Sequence, residues 1–381
     1  MILFVLTFFT LYGGVHVYAF FRARAALGFG AETGAALAVF MLVMTMAPFL
    51  IRFTERHGYE LTARALSYIA YLWMAALFLF FCASLVSDIL NLLTRAVSWA
   101  ASADITPFLL SRKTSFFLCL GLSLAICIYG YFDALNIRTE RLRIETTKLP
   151  RGIDRLTIVQ LSDVHLGLIV RCSRMGKMLD LVKAAKPDIL VSTGDLVDAE
   201  INHLTGLAEL LREVNPRYGK FAITGNHEYF AGLDKALAFT KMAGFTLLRG
   251  EAAADGVINI AGVNDLQGVR MKLDQPVSEK ALLSKLSKDK FTLFLKHQPL
   301  VDPETEGLFD LQLSGHTHKG QIFPFAYVSA LAYPMNAGRY DLPKGSILYV
   351  SRGSGTWGPP VRFLSSPQIT VVELVRKENN Q

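Results

Sequence analysis

The sequence predicts an α/β domain, built from sheets covered by helices, that follows an all-α membrane region of about four helices. Hydrophobic residues make up 52% of the 381-residue chain and charged residues only 19%, and the apolar excess lies in the amino-terminal third. The rest of the chain alternates strand-like and helix-like patterns. We therefore predict a transmembrane helical region over residues 1–135 and a separate α/β domain over residues 136–381.

Four apolar stretches at the front of the chain are each close to the length that spans a bilayer. They cover residues 1–21, 34–51, 65–87 and 116–132. The second stretch is short and contains Pro48. Residues 1–21 have an alternative interpretation as a cleavable signal peptide, but no basic segment precedes the apolar run and three more apolar stretches follow. We expect a retained membrane helix.

Residues 88–99 carry apolar side chains at positions 89, 92, 93, 96 and 97, which share one helical face. Two interpretations are open. The segment either lies in the membrane interface with Trp99 as its anchor, or it extends the third helix.

Basic residues in the loops favour one orientation in an inner or plasma membrane. With four helices, the amino terminus and the α/β domain share one side. That side has eight basic residues near the helices, against five in the opposite loops. The positive-inside rule then predicts a cytoplasmic α/β domain, and activity of a carboxy-terminal reporter only outside the cytoplasm would reverse this prediction.

The second half of the chain reads as strands that alternate with helices. Strands are predicted at 156–161, 189–193 and 221–224, and the alternation of Leu142 with Ile144 indicates an earlier one. Helical stripes fall between these strands, and a helix near 233–243 should stop at Gly244. Four later runs are predicted as strands of a second sheet, at 257–262, 291–296, 347–351 and 369–375.

Five short segments carry the residues that a two-metal site needs. They are Ser-Asp-Val-His at 162–165, Gly-Asp-Leu-Val-Asp at 194–198, Gly-Asn-His-Glu at 225–228, His297, and Gly-His-Thr-His at 315–318. Two divalent ions about 3.5 to 4 Å apart require oxygen and imidazole ligands on both sides and a bridging carboxylate. Five of the eight histidines of the chain fall in this ordered set.

The spacing of these residues indicates how they meet. Asp163 and His165 are two apart, so in an extended segment both side chains leave one face and hold one ion. His316 and His318 repeat the spacing, and a loop that lets them diverge aims one at each ion. Asp195 follows a predicted buried strand. It therefore lies in a loop at the carboxyl end of a strand, where an α/β sheet usually binds its ligands.

From about Arg138 to Val375 the chain resembles the calcineurin-like metallophosphoesterases, with every motif present and in order. The resemblance implies a four-layer αββα sandwich with the metals at loops on one edge. It implies that Asp163, His165 and His318 bind one metal. It further implies that Asn226, His297 and His316 bind the other, with Asp195 bridging the two ions and a hydroxide shared between them.

The resemblance also assigns residues around the metals. It implies that His227 binds no metal and faces the phosphate, as a general acid or a phosphate partner. Asp198 and Glu228 are expected to support the ligands from behind. The remaining histidines, at 16, 57 and 203, are expected to be packing or surface residues.

Arg352 and Arg362 flank a glycine-rich stretch at 353–358 and are candidates for phosphate or headgroup contacts. The net charge is +7: eight basic against six acidic residues up to position 135, and 31 against 26 beyond it. No basic motif interleaved with aromatics appears, so we expect membrane lipids rather than nucleic acid as the partner. The ligand set suits Mn, Fe or Zn.

Together these features predict a membrane-anchored dinuclear-metal phosphoesterase that acts on phosphoester or pyrophosphate bonds, with lipid-linked molecules as the favoured substrates. Two alternatives are open. One is a broad-specificity phosphodiesterase for soluble substrates. The other is a catalytically weak metal-binding membrane sensor, against which the complete motif set argues.

Overall fold

A computed structural model describes residues 2–102, 104–198, 204–253 and 256–377. The expectation for His203 therefore lies outside the described residues. The chain divides into two compact units. The helical unit comprises Met1–Phe132 and Gly358–Val361, and the sheet unit comprises Asp133–Trp357 and Arg362–Gln381.

Long helices occupy the front of the chain, and a short 3-10 turn at Thr106–Phe108 precedes the last of them. They are α1 (Ile2–Leu27), α2 (Ala31–Arg56), α3 (Glu60–Ala101) and α4 (Arg112–Leu135). Of these, α2, α3 and α4 are long and apolar enough to cross a membrane, which indicates membrane anchoring. The interpretation of residues 1–21, within α1, as a membrane-spanning segment stays a prediction.

Two of these helices differ in length from their predictions. Pro48 lies inside α2, which continues for 26 residues. The segment predicted as either an interfacial helix or an extension belongs to α3, which runs unbroken for 42 residues. At 1.5 Å per residue α3 is about 63 Å long, whereas the hydrocarbon core is about 30 Å thick. The separate interfacial helix is therefore excluded, and α3 is longer than the bilayer core.

Several polar side chains inside the helical unit are paired with one another. Arg22 on α1 lies 2.5 Å from the Asp88 carboxylate on α3 and donates a second bond to Ser115 of α4 at 2.7 Å. His16 is buried as a packing residue, and its Nε2 accepts from the Trp73 indole at 2.9 Å. Charged and polar groups in an apolar bundle are costly unless they are paired, so these contacts fix the packing of α1 on its neighbours.

The first sheet of the sheet unit has the order β1-β12-β2-β3-β4-β5. Its strands are β1 (Arg138–Thr146), β2 (Arg155–Leu161), β3 (Ile189–Ser192), β4 (Lys220–Ala222), β5 (Thr246–Leu247) and β12 (Gln368–Arg376). The strands from β2 to β5 run parallel, so their carboxyl ends lie along one edge. The assignment of 369–375 to the second sheet was wrong, because β12 pairs with β1 and β2.

The second sheet is also mixed and has the order β10-β11-β9-β8-β7-β6. Its strands are β6 (Glu251–Ala253), β7 (Asn259–Gly262), β8 (Thr292–Leu295), β9 (Leu311–Ser314), β10 (Gly338–Asp341) and β11 (Ile347–Val350). Strands β7, β8, β9 and β11 run parallel. The other three runs predicted for this sheet are found in it.

The core of the sheet unit lies between the two sheets. Buried Ile158 and Val191 of the first sheet belong to one apolar cluster with Leu293 and Leu313 of the second. The two sheets therefore form a sandwich, and burial of their facing apolar side chains is the main force that joins them. The four-layer order stays a prediction.

Helices connect the strands of both sheets. They are α5 (Cys172–Ala184), α6 (Thr205–Arg212), α7 (Asn226–Ala231), α8 (Leu233–Met242), α9 (Leu266–Arg270), α10 (Glu279–Leu283) and α11 (Phe325–Ala332). Two 3-10 turns lie at His318–Gly320 and Pro343–Gly345. The predicted stripe on α5 is buried, as expected for a helix that covers a sheet. Gly244 follows α8 with φ +83°, which suits a glycine at a helix end.

Candidate metal centre

The residues of the five motifs lie where strands end. Asp163 follows β2, Asp195 follows β3, His297 follows β8 and His316 follows β9, while Asn226 begins α7 after β4. Because the parallel strands end along one edge of each sheet, their loops meet there. Asp163, His165, Asp195, His297 and His318 are almost completely buried.

The backbone at the site is unusual. Asp163, His165, Asp195, His316 and His318 all have positive φ, between 48° and 71°. Residues other than glycine rarely adopt this left-handed conformation, and where they do it commonly marks a functional site. The extended segment assumed for Asp163 and His165 was therefore wrong. Strand β2 ends at Leu161, and two left-handed residues, rather than strand alternation, bring the two side chains together.

Asp163, His165 and His318 form a first buried triad whose ligand atoms lie within 4.8 Å of one another. The two imidazole Nε2 atoms of His165 and His318 face each other at 3.0 Å, and the Asp163 carboxylate lies 3.5 Å from His318. The same carboxylate oxygen, Asp163 Oδ1, accepts a hydrogen bond from the backbone N–H of His316 at 2.8 Å.

Asp195, His297 and His316 form a second triad within the same distance limit. Asn226 joins it through its side-chain oxygen, which lies 2.9 Å from His316 Nδ1 and 3.2 Å from His297 Nε2. His316 and His318 thus belong to different triads, as predicted for a loop that lets their side chains diverge.

Asp195 lies between the two triads. Its Oδ2 is 3.2 Å from His297 Nε2 and 3.9 Å from His165 Nε2. Its other oxygen accepts a hydrogen bond from the His227 backbone N–H at 2.8 Å. One carboxylate therefore reaches both ligand groups.

Hydrogen bonds on the far side of two rings direct their lone pairs into the site. His297 Nδ1 lies 2.8 Å from the Thr193 carbonyl and must donate to it, so Nε2 is the nitrogen that offers a lone pair once the ring is neutral. Tyr333 donates its hydroxyl proton to Gln298 at 3.1 Å and lies 2.9 Å from His316 Nε2, so that nitrogen donates to it. His316 Nδ1 is then free to bind a cation, in the arrangement typical of metal-binding histidines.

His318 differs from the other two rings. Its Nδ1 lies 2.9 Å from the Arg362 guanidinium, which can only donate. The neutral ring consequently carries its proton on Nε2, which faces His165. A cation held by that nitrogen requires the proton to leave.

Arg362 does not reach the open side of the site. It is fully buried and also donates to the backbone carbonyls of Gly355 and Arg352. Arg352 is bound to Glu140 at 2.6 Å and to the Ser366 carbonyl at 3.0 Å. The direct phosphate contacts predicted for these two arginines are therefore not supported. Arg362 instead contacts His318 through Nδ1, the ring nitrogen that does not face His165.

Two acidic residues outside the triads form hydrogen bonds with residues of the site. Glu228 is buried and accepts from the backbone N–H groups of Asp195 at 2.9 Å and Leu196 at 2.8 Å, which fixes the loop after β3. Asp198 Oδ1 lies 3.0 Å from His227 Nδ1. Distance alone also places His227 in a group with His165 and Asp195, so geometry leaves open whether it binds metal.

The charge states of two of the rings, His165 and His316, suit cation binding. Burial lowers the pKa of His165 to about 4 and that of His316 to about 3, so both are neutral near pH 7. Burial lowers the pKa of His297 too, but the charge of Asp195 outweighs it and raises the pKa well above the usual range. A cation at the second triad must therefore displace a proton from His297, whereas His165 and His316 are already neutral. The two adjoining groups of imidazoles and carboxylates are consistent with a dinuclear metal site.

Several residues that contact the site carry no sequence signal. Tyr333 lies in an uncharged segment, and nothing in its neighbours indicates its bond to His316. Glycines pack against the loop that carries Asp163: a Cβ on Gly315 would collide with the Asp163 carboxylate, and one on Gly355 would collide with the Val164 carbonyl. The glycine-rich stretch thus packs against the loop that carries Asp163.

Gly315→Ala should weaken the first triad, because the added methyl displaces Asp163. We expect the affinity for one of two metal ions to fall by about 10- to 100-fold, as measured by metal titration of the purified protein. Gly176→Ala on α5 is the control, since its methyl meets no atom within 4 Å. Unchanged binding of both ions in Gly315→Ala would show that Asp163 holds neither.

Comparison with known proteins places the chain in a family. A model described as calcineurin-like phosphoesterase matches residues 156–320. An uncharacterized metallophosphoesterase of Aquifex aeolicus (strain VF5) is 40% identical over 253 residues, which cover 66% of this chain and 97% of that protein. A Danio rerio protein named transmembrane protein with metallophosphoesterase domain is 28% identical over 334 residues, 84% of this chain and 75% of that one.

Among solved structures, the 5'-nucleotidase precursor of Thermus thermophilus aligns with 58% of this chain and 54% of its own, at 16% identity and a TM-score of 0.33. A likeness this weak says nothing about substrate. The Aquifex relative, matched over nearly its whole length, and the family model, which spans both triads, agree with each other. The chain therefore belongs to the calcineurin-like metallophosphoesterase family.

Proposed function

We propose that the protein is a membrane-anchored phosphoesterase with two metal ions, which hydrolyses phosphoester or pyrophosphate bonds of lipid-linked substrates. The observation that carries the proposal is the pair of buried triads with Asp195 between them. In this proposal Asp163, His165 and His318 hold one ion. Asn226, His297 and His316 hold the other, and Asp195 bridges.

Mn, Fe and Zn all suit this donor set, and two such ions when bound would lower the pKa of a water molecule and neutralise charge on the phosphoryl group. The protein holds the ligand side chains in the orientation that metal binding needs. Glu228 and the glycines near Asp163 hold the carboxylates in place, and the partners of His297 and His316 set their tautomers. Such fixed ligands remove the cost of reorganising the site during reaction.

His227 is proposed as the general acid that gives a proton to the leaving oxygen. Burial lowers its pKa, but the charge of Asp195 and the hydrogen bond with Asp198 outweigh burial and raise the pKa to about 9. The Asp198 carboxylate beside Nδ1 favours the protonated ring, which has a proton to donate. Asp198 also fixes the ring's orientation through Nδ1, which leaves Nε2 for the substrate.

The membrane anchor supports a lipid-linked substrate. Only residues 136 and 137 separate α4 from β1, so the sheet unit is tethered to a membrane helix by a very short connection. A phosphatase held in this way meets lipid headgroups at high effective concentration, and the anchor brings no such gain for a freely diffusing nucleotide. A cytoplasmic placement of the sheet unit is part of the proposal and rests on the distribution of basic residues alone.

The test compares two substrates with the full-length protein in mixed micelles. One is a phospholipid or lipid-linked pyrophosphate, and the other is a soluble aryl phosphodiester. We expect lipid turnover to rise with the mole fraction of the lipid in the micelle, with turnover of the soluble diester unaffected. The Asp195→Ala variant, which should be inactive, is the negative control. Good turnover of the diester with every lipid ignored would favour the broad-specificity alternative, and turnover of neither would favour the sensor.

A further inference from the structure

An apolar helix with large exposed side chains lies next to the metal ligands. In α11, Phe325, Tyr327, Val328 and Leu331 are 42%, 69%, 54% and 86% exposed. None of the residues of this helix is buried. At 100° per residue these four side chains fall within one arc of the helix, so they form a continuous surface, which we call the α11 face.

The segment around α11 is also free of charge. Residues 320–338 contain no Asp, Glu, Lys or Arg, and Lys319 and Arg339 border them. In the described part of the sheet unit, no other run of eight residues exposes four large hydrophobic side chains. Exposed apolar patches of this kind in soluble domains mark interaction sites.

The helix is fixed to the loop that supplies two metal ligands. Tyr333, directly after α11, contacts His316 at 2.9 Å. The Thr317 hydroxyl donates to the Asn336 carbonyl at 2.6 Å, and the Asn336 side chain donates to Ala326 at 3.3 Å. A Cβ on Gly320 would collide with Ala326, so the first turn of α11 lies against the end of the same loop. Whatever binds the α11 face is therefore held beside the metal ligands.

We propose that the α11 face inserts into the surface of the bilayer in which the chain is anchored. A bilayer is the partner that the rest of the chain supplies, because α2, α3 and α4 are long and apolar enough to cross a membrane. Aromatic and aliphatic side chains on one exposed helical face can insert at the membrane interface, and the basic residues Lys319 and Arg339 at the borders of the segment suit an anionic lipid surface. Tyr is a residue type that favours that depth, as at Tyr327, and Phe and Leu are common on the inserted face, as at Phe325 and Leu331. Insertion of the α11 face places the loop of His316 and His318 close to lipid headgroups, whether or not a lipid is the substrate.

The test measures depth in the full-length protein. Leu331→Cys is made in a Cys172→Ser background, because Cys172 is the exposed one of the four cysteines and the others lie in α3 and α4. A nitroxide is attached, and the protein is placed in nanodiscs of phosphatidylcholine with phosphatidylglycerol. Collision rates with oxygen, which concentrates in the bilayer, and with a nickel chelate, which stays in water, are then compared. Tyr327→Cys provides a second probe if the first variant fails to fold.

We expect a several-fold excess of oxygen over nickel collisions at Leu331→Cys and Tyr327→Cys. Lys288→Cys is the matched control: Lys288 is exposed and precedes β8, at the end opposite to His297, and nickel collisions should dominate there. Frequent nickel collisions at both α11 probes would overturn the proposal, because the face would lie in water. Low collision rates with both reagents would also overturn it, because a protein surface would then cover the helix. The measurement needs no substrate, so its outcome is independent of the proposed function.

Discussion

Asp195→Ala should lose both metal ions and with them all measurable hydrolysis. The Asp195 carboxylate lies 3.2 Å from His297 and 3.9 Å from His165, so its removal takes an oxygen from the second triad and from the edge of the first. Metal ions stabilise the transition state by several kcal/mol, and we expect turnover of an aryl phosphodiester to fall by about 10³-fold or more. Elemental analysis of the purified variant measures the metal content directly.

Asp188→Ala is the matched control for this variant. Asp188 precedes β3 and Asp195 follows it, and Asp188 accepts a hydrogen bond from the Thr157 backbone at 2.8 Å, far from the ligands. Its removal should cost about 1 kcal/mol of stability and leave both ions bound. If Asp195→Ala retains two tightly bound ions, then Asp195 does not bridge. His318→Ala should impair only the triad that it shares with Asp163.

His227→Asn should keep both metal ions yet lose rate. General acid catalysis typically contributes about 10²- to 10⁴-fold, and the loss should be greatest for substrates whose leaving group needs a proton. An alkyl phosphodiester should therefore suffer more than an aryl one, whose leaving group departs without much help. The ratio of the two rate losses is the measurement, taken at equal metal loading.

The metal content of His227→Asn decides between two roles. Distance groups His227 with His165 and Asp195, so a ligand role predicts loss of an ion in this variant. The proposed role predicts full loading and a selective effect on the alkyl substrate. His57→Asn, at an exposed histidine after α2, should change neither quantity. Equal losses on both substrates would remove the general acid role.

The sequence predicts much of this site because its ligands sit at strand ends. The runs before Asp163 and Asp195 are short, apolar and bounded by glycine or polar residues, and both form strands of the first sheet. Parallel strands of one sheet bring their following loops together whatever the length of chain between them. The assembly of the motifs at one edge could therefore be predicted from order and pattern.

Other features depend on contacts that no local pattern contains. Residues 369–375 have a strand pattern, but the choice between the two sheets depends on pairing with β1 and β2, more than 200 residues earlier. Arg362 resembles a surface arginine in sequence, yet its burial follows from carbonyls supplied by separate loops. The left-handed turns at Asp163 and His165 are similarly invisible, because neither residue is a glycine.

The helix α11 shows a different limit. Its residues have the composition of a buried helix, and only the structure shows that they are exposed. Periodicity separates apolar faces from polar ones, but it does not say whether an apolar face meets protein or lipid. The same limit applies to the segment at 88–99, where an interfacial helix and a continuation of α3 have the same pattern.

The central claim, that two metal ions on this chain hydrolyse phosphoesters, is tested most directly by metal titration. The full-length protein is stripped with a chelator in micelles, and Mn²⁺ is returned in measured amounts while turnover of an aryl phosphodiester is followed. We predict that turnover rises until two ions are bound per chain and then levels off. Turnover that levels off at one ion per chain, or that is absent at every loading, would contradict the claim.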